Sequence, residues 1–212
     1  MTSLSAVLTG DLIRSRQSDP RLVDAAIDVL ASAAADFGRA WTFDPRFTRF
    51  RGDGWQVVLP DPAYVLDACI YLSARLTAEH PLLQTRVSAG VGEAIVPQDG
   101  DLSAASGSAF FISGDHLDNM SKRRRLIVAG HGIGTWQNAV VLLADWMIGT
   151  WSGPQSEAVA LTLLGDETNE QMARRLGITR QAFEARLNGS GFQSLGEALH
   201  AFRTHDYGGA AP

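Results

Sequence analysis

Two aspartates stand where an acid can do chemistry. Asp11 follows the short apolar run 4–10, and Asp53 sits between Gly52 and Gly54 in the stretch RFTRFRGDGWQVVL, residues 46–59. Glycines on both sides of an acid supply positive φ and let a ligand approach the backbone closely. Two convergent carboxylates bind Mg²⁺ or Mn²⁺ together with substrate phosphates, because Mg²⁺ takes one or two protein oxygens and leaves the rest to phosphate and water. In a two-metal site the same pair supports an in-line attack. The plainer alternative makes Asp11 a turn cap and Asp53 an ordinary hairpin residue. A metal site requires that both acids reach one place, and that depends on the elements carrying them.

Residues 4–10 read as a buried first strand, and a helix follows with Leu22, Val23, Ala26, Ile27, Leu30, Ala34 and Phe37 on one face, ending at Gly38. The stretch 46–59 is a hairpin. Phe47, Arg49 and Arg51 point one way on its first strand, and Trp55, Val57 and Leu59 alternate on its second. Asp61-Pro62 opens a second helix that runs to Glu79, and residues 84–91 form another strand. This β-α-β-β-α-β order predicts an α+β fold, a ferredoxin-like antiparallel sheet with two helices on one face. Its first and third strands lie together at the centre, so Asp11 and Asp53 are expected at one end.

Downstream come a loop over 97–106, a helix over 107–120, a basic run at 122–125, a short strand at 126–129 and a helix over 138–151. Ser152-Gly153-Pro154 is the expected boundary between a domain over 1–151 and a small all-α domain over 155–205. The Gly/Ala-rich tail from Tyr207 onward is expected to fray.

Composition narrows the function classes. The chain has 212 residues, 45% hydrophobic and 19% charged, with a formal charge of −5, so no whole-protein field draws in nucleic acid and any basic surface is local. The single cysteine, Cys69, excludes an internal disulfide and fits a reducing, cytoplasmic setting. The opening residues lack a signal-peptide pattern, and the apolar run 139–148 is too short to span a bilayer, so no membrane partner is expected. The five histidines show no ligand spacing.

A second constellation lies near the C-terminus. Met172, Ala173, Leu176, Gly177, Ile178, Phe183 and Leu187 fit a helix-turn-helix, with Thr179 capping the second helix. That helix would present Arg180, Gln181, Glu184 and Arg186, and Arg and Gln suit guanine and adenine edges in double-stranded DNA. From Trp151 onward five arginines face seven acids, a poor balance for a phosphate interface, although four of the arginines lie in the two central helices. The alternative is a helix-turn-helix used for packing or dimerisation.

AVLTGDLIRSR, FRGDGWQVV and RVSAGVG, in that order, resemble the three core strands of class III nucleotide cyclases. The resemblance implies metal binding by Asp11 and Asp53, and it puts Arg49 where many cyclases carry a base-reading lysine. It implies a nucleotide ligand near Arg49, Gly52 and Gly54, and a homodimer. The Asn and Arg that cyclases place on a later helix have no counterpart; Phe111 and Asp115 stand near those positions. Over nearly its whole length the chain is more similar to the SatD family, through TGDLIRSR, the Gly-Asp hairpin, RVSAGVGEA, the helix start at Gly107, Ala109 and Phe110, and the C-terminal helix-turn-helix. It departs from that family at Gly54, where a Glu is usual, and at Ser113-Gly114, where Ala-Arg is usual. The combined expectation is a DNA-binding transcriptional regulator with a degenerate cyclase-like sensor or dimerisation domain that takes nucleotide and Mg²⁺ or Mn²⁺. The alternative is a divergent metal-dependent nucleotidyl cyclase or nucleotidyltransferase.

Overall fold

The computed structural model describes residues 4–50, 52–98, 100–165 and 167–208. Arg51, expected to share a face with Phe47 and Arg49, lies outside them, as does the tail after Gly208. The first apolar run forms β1 (Ser5–Leu12), in which every residue but Asp11 is buried. It is the central strand of a five-stranded sheet whose other members are β2 (Arg46–Phe50), β3 (Gly54–Leu59), β4 (Thr85–Gly92) and β5 (Leu126–Gly130). The order β2-β3-β1-β4-β5 keeps β1 antiparallel to both its neighbours. This is the expected ferredoxin-like core. The sheet is mixed, however, because β5 joins β4 in parallel, as a strand that returns through a helical crossover must.

Side-chain alternation gives the sheet two covered faces. Leu8, Leu12, Trp55, Val57, Val87 and Ala89 face a layer made by α1 (Pro20–Trp41) and α2 (Val65–Glu79). Val7 and Val58 face α3 (Ser108–Asp118), where they cluster with Ala109 and Leu102. The close approach of α3 is made possible by Gly90, whose added Cβ would lie 2.8 Å from the Ser113 amide nitrogen. Helix α1 runs past Gly38 to Trp41 and ends at Thr42, which adopts the left-handed conformation. Gly38 is therefore not a cap. It sits where the chain doubles back, and a Cβ there would lie 2.6 Å from the Phe43 carbonyl.

Helix α2 is buried along most of its length because it is covered twice. The sheet lies on one side of it. On the other side α5 (Gly153–Leu163) and α8 (Gly196–Arg203) pack against α2, while α6 (Asn169–Arg175) and α7 (Arg180–Ser190) pack against α5. Helix α4 (Thr135–Ile148) extends the layer over β5 through Val141, Ala144 and Ile148. One hydrophobic cluster runs from Leu8 and Trp55 through Leu72 to Val159, Phe183, Leu199 and Phe202. Trp151 donates its indole N–H to the Ser190 carbonyl at 2.8 Å. Tyr207, expected in a frayed tail, is buried and donates its hydroxyl to the Phe202 carbonyl at 3.1 Å. No helix among the described residues is long and apolar enough to cross a membrane.

Within this junction Asp67 of α2 is fully buried and accepts hydrogen bonds from Nε and one terminal nitrogen of Arg203 on α8. Arg203 also lies over the Trp41 ring, 4.7 Å from its centroid. Burial pushes the Asp67 carboxyl above the usual carboxylate range, and the Arg203 hydrogen bond only partly offsets it. Removing one partner of such a pair leaves an uncompensated charge. Arg203→Ala is expected to lower stability at neutral pH by about 3 kcal/mol, the low end of the range because the Arg203 side chain is about one-third exposed. A buried Asp67 without its cation has a folded-state pKa above the unfolded one, so its penalty is full above the folded value and vanishes below the unfolded value. The stability gap between wild type and variant, measured by urea unfolding, is expected to close as pH falls towards about 4.

Candidate functional site

The Thr9-Gly10-Asp11 end of β1 makes three different contacts. Thr9 shares a 2.8 Å hydroxyl–hydroxyl hydrogen bond with Ser113 of α3 and accepts one from Gln56 of β3. Gly10 lies under the Trp55 indole, which crosses from β3 to donate to the Thr85 hydroxyl of β4 at 3.0 Å. Thr85 donates in turn to the Asp11 carbonyl at 2.8 Å. A Cβ at Gly10 would overlap the Trp55 ring and lie 2.6 Å from the Arg86 carbonyl. The glycine is there so that a tryptophan can span three strands.

Asp11 lies inside the strand rather than in a turn after it. It stands opposite Gly54 on β3 and opposite Arg86 on β4. Residues paired across strands share a face, so Asp11 and Arg86 project side by side. Arg86 donates from Nε to Asp11 Oδ1 at 2.8 Å and from a terminal nitrogen to Oδ2, a two-pronged pair in which each side chain is 27% exposed. The hydrogen bond to Asp11 holds the Arg86 proton more tightly than usual against the effect of burial. Coulombic attraction from Asp11, from Asp118 at the end of α3 and from Asp53 adds to it.

Asp53 is in the β2–β3 turn, one residue from Gly54, so both acids reach the same rim of the sheet. Its carboxylate accepts a hydrogen bond from the Ser15 hydroxyl. Gly52 has φ +82°, which a turn of this kind requires and other residues resist. Gly54 serves packing, since a Cβ there would lie 2.7 Å from the Phe50 carbonyl and 3.1 Å from its ring. Arg49 pairs with Trp55, which places it on the α1 side of the sheet, opposite to Asp11. There it donates to the Gly52 carbonyl and meets Asp24 of α1 at 2.8 Å. Asp53, Arg49 and Gly52 border one shallow cleft with Ser15, Arg16 and Asp24; Asp11 does not line it.

The rim can be tested as a metal site. Both Asp11 oxygens are already bonded to a guanidinium, and no group of three or more His, Cys, Asp or Glu among the described residues is arranged to hold an ion. A divalent ion on Asp11 would have to share its carboxylate with the Arg86 guanidinium, and a 2+ and a 1+ charge about 4 Å apart at an effective dielectric of about 20 repel by about 8 kcal/mol. The residues as arranged do not fit a divalent ion. Two residues of the basic run are engaged away from the rim. Arg124 pairs with buried Asp145 at 2.9 Å, and Arg125 donates its amide to Asp145 and its Nε to Gln84.

At the second constellation, α6 and α7 are joined by Leu176, Gly177, Ile178 and Thr179, with Gly177 at φ +65°. The Thr179 hydroxyl accepts the Ala182 amide at 3.2 Å and caps α7. Met172, Ala173, Phe183 and Leu187 are buried between the helices, as their spacing predicts. The five residues expected to contact DNA separate here. Arg180 and Gln181 are exposed on the first turn of α7, and Arg180 meets Glu184 at 2.7 Å within the helix. Arg186 turns to Glu157 of α5 at 2.8 Å.

No protein-family model and no curated protein matches the chain. Among solved structures it is similar to a bacterial light-regulated adenylyl cyclase, with 14% identity over 59% of this chain and 75% of that one and a TM-score of 0.41. A second light-regulated adenylyl cyclase structure shares 12% identity over 60% of this chain and 43% of that chain, with a TM-score of 0.38. A guanylyl cyclase shares 13% identity over 67% of this chain and 78% of its own, with a TM-score of 0.35.

Arg86 and Ser15 carry no local signal of their roles: Ser15 lies within TGDLIRSR and Arg86 within RVSAGVG, and only the strand register shows that Arg86 is the cross-strand partner of Asp11. Gly10→Ala is expected to cost about 2–3 kcal/mol by urea unfolding, because the Trp55 ring has no room to move without leaving Thr85.

Proposed function

We propose that the chain is a DNA-binding regulator whose sheet domain is a degenerate nucleotide-cyclase-like module that serves for sensing or association rather than turnover. A place in the SatD family is part of the same proposal. The observation that carries it is the α6–Gly177–α7 arrangement, which holds Arg180 and Gln181 exposed at the start of a helix. Side chains at the N-terminal end of a recognition helix are the ones that reach base edges in a major groove. Arg174, exposed at the end of α6, makes no ion pair among the described residues and is free to meet a phosphate. The sheet domain supports the non-enzymatic half of the proposal in two ways. Asp11 is neutralised by Arg86, and the exposed Phe111 of α3 stands near a position where the resemblance to cyclases implies a residue that stabilises the transferring phosphate.

Association as a homodimer fits the same picture. Leu142, Leu143 and Trp146 stand exposed together on α4, whose only charged residue, Asp145, is buried. They form an apolar patch on the order of 300 Å², in the range where such patches tend to be functional. Pairing this face with a second copy makes an isologous contact and gives two α7 helices a two-fold relation, as palindromic half-sites require. A second reading, metal-dependent nucleotidyl transfer, has in its favour only that Asp11 and the turn carrying Asp53 share one rim of the sheet.

Fluorescence anisotropy on genomic DNA fragments over a salt series is expected to show salt-sensitive binding. The double variant Arg180→Ala/Gln181→Ala should weaken it at least about tenfold, the size of one lost side-chain-to-base contact. Equal, negligible binding by both proteins would leave α6 and α7 as packing elements. Incubation with each nucleoside triphosphate and Mn²⁺ is expected to give no cyclic product. A product lost in Asp53→Asn would establish the enzymatic reading instead. Trp146→Lys is expected to convert a dimer to a monomer in sedimentation.

A further inference from the structure

We propose that Arg86 is the resident cation of the two-aspartate rim, and that its guanidinium keeps a divalent ion off Asp11. This stands apart from DNA binding and concerns the sheet domain alone. The geometry is that of a fork on a carboxylate: two donors of one planar group meet two oxygens of one acid, the arrangement that Arg makes and Lys cannot. The register makes it permanent rather than incidental. Asp11 and Arg86 are direct cross-strand partners at the sheet centre, so neither side chain reaches its partner by a loop movement. The backbone beneath is locked by the Trp55–Thr85–Asp11 chain of hydrogen bonds.

The surroundings favour the guanidinium as well. On the β3 side of Asp11 stands Gly54, which contributes no competing donor. Asp53, the acid that would complete a metal site, is engaged by the Ser15 hydroxyl. Asp53 and Asp118 both attract the Arg86 charge. A cation that is part of the chain cannot be removed by a chelator, so the rim keeps its shape whatever the metal level. The rim carboxylates of this chain are thereby structural acids, satisfied from within.

Mn²⁺ is the probe, followed by electron paramagnetic resonance and calorimetry on the full chain without nucleotide. Wild type is expected to bind no Mn²⁺ at the rim and to keep its Tm in EDTA. Arg86→Gln, which removes the charge but keeps a donor, is expected to bind Mn²⁺ at least about tenfold more tightly than wild type, a 1.4 kcal/mol difference. Adding Asp53→Asn should abolish that gain. Arg86→Lys, a single ammonium that leaves one Asp11 oxygen open, should fall between the two and keeps the test alive should the Gln variant not fold. Saturable Mn²⁺ binding by wild type that disappears in Asp11→Asn would overturn the proposal. So would a folded Arg86→Gln protein that binds no more Mn²⁺ than wild type.

Discussion

The double antiparallel register of β1 is the constraint on which the rest depends. A strand at the centre of the sheet has no free edge, so each of its residues is fixed against one partner on β3 and one on β4. Because side chains alternate, the same register sorts Leu8 and Leu12 to the α1–α2 layer and Val7, Thr9 and Asp11 to the α3 side. A slip of one residue would bury Asp11 among the core of α1 and α2 and expose Leu12. Gly10 is the point where this constraint is tightest. The Trp55 indole fills the space a side chain would occupy, and its hydrogen bond to Thr85 ties three strands together at the rim.

Helix α2 carries that order outward. It is packed between the sheet and the C-terminal helices, and its apolar residues belong to one cluster that reaches Phe183 and Phe202. A fully buried Asp67 inside this seam is tolerated because Arg203 brings two hydrogen bonds and its own stacking on Trp41. Such a pair is weak evidence for stability, since both charges lose their hydration, but it strongly penalises any arrangement of α8 that separates them. The seam therefore fixes where α8 sits on α2.

The cations follow a common pattern. Arg49, Arg86, Arg124, Arg175, Arg180, Arg186 and Arg203 each have a carboxylate partner. In a chain with more acids than bases this is expected of Coulomb's law, and it is why residue types suited to phosphate binding do not by themselves make a phosphate site. Where an arginine is bonded by both prongs and half-buried, as Arg86 is, freeing it requires breaking a two-pronged ion pair. Where it is exposed and paired along one helix, as Arg180 is, the pair is screened by water and exchanges readily for a phosphate or a base.

The sequence by itself determined the element order, the central place of β1, the hairpin at Asp53 and the Gly177 turn between α6 and α7. These follow from periodicity and from glycines with positive φ, both local properties of the chain. It also brought Asp11 and Asp53 to one rim, since the topology allows nothing else. Only the tertiary structure decided what those acids meet. Arg86 is 75 residues from Asp11, and no local pattern announces a partner that depends on strand register. In the same way Arg49 fell on the far face, Gly38 became a point of close approach instead of a cap, and Tyr207 was drawn into the core. Each of these turns on which side of an element faces which neighbour, and that is settled by packing between distant parts of the chain.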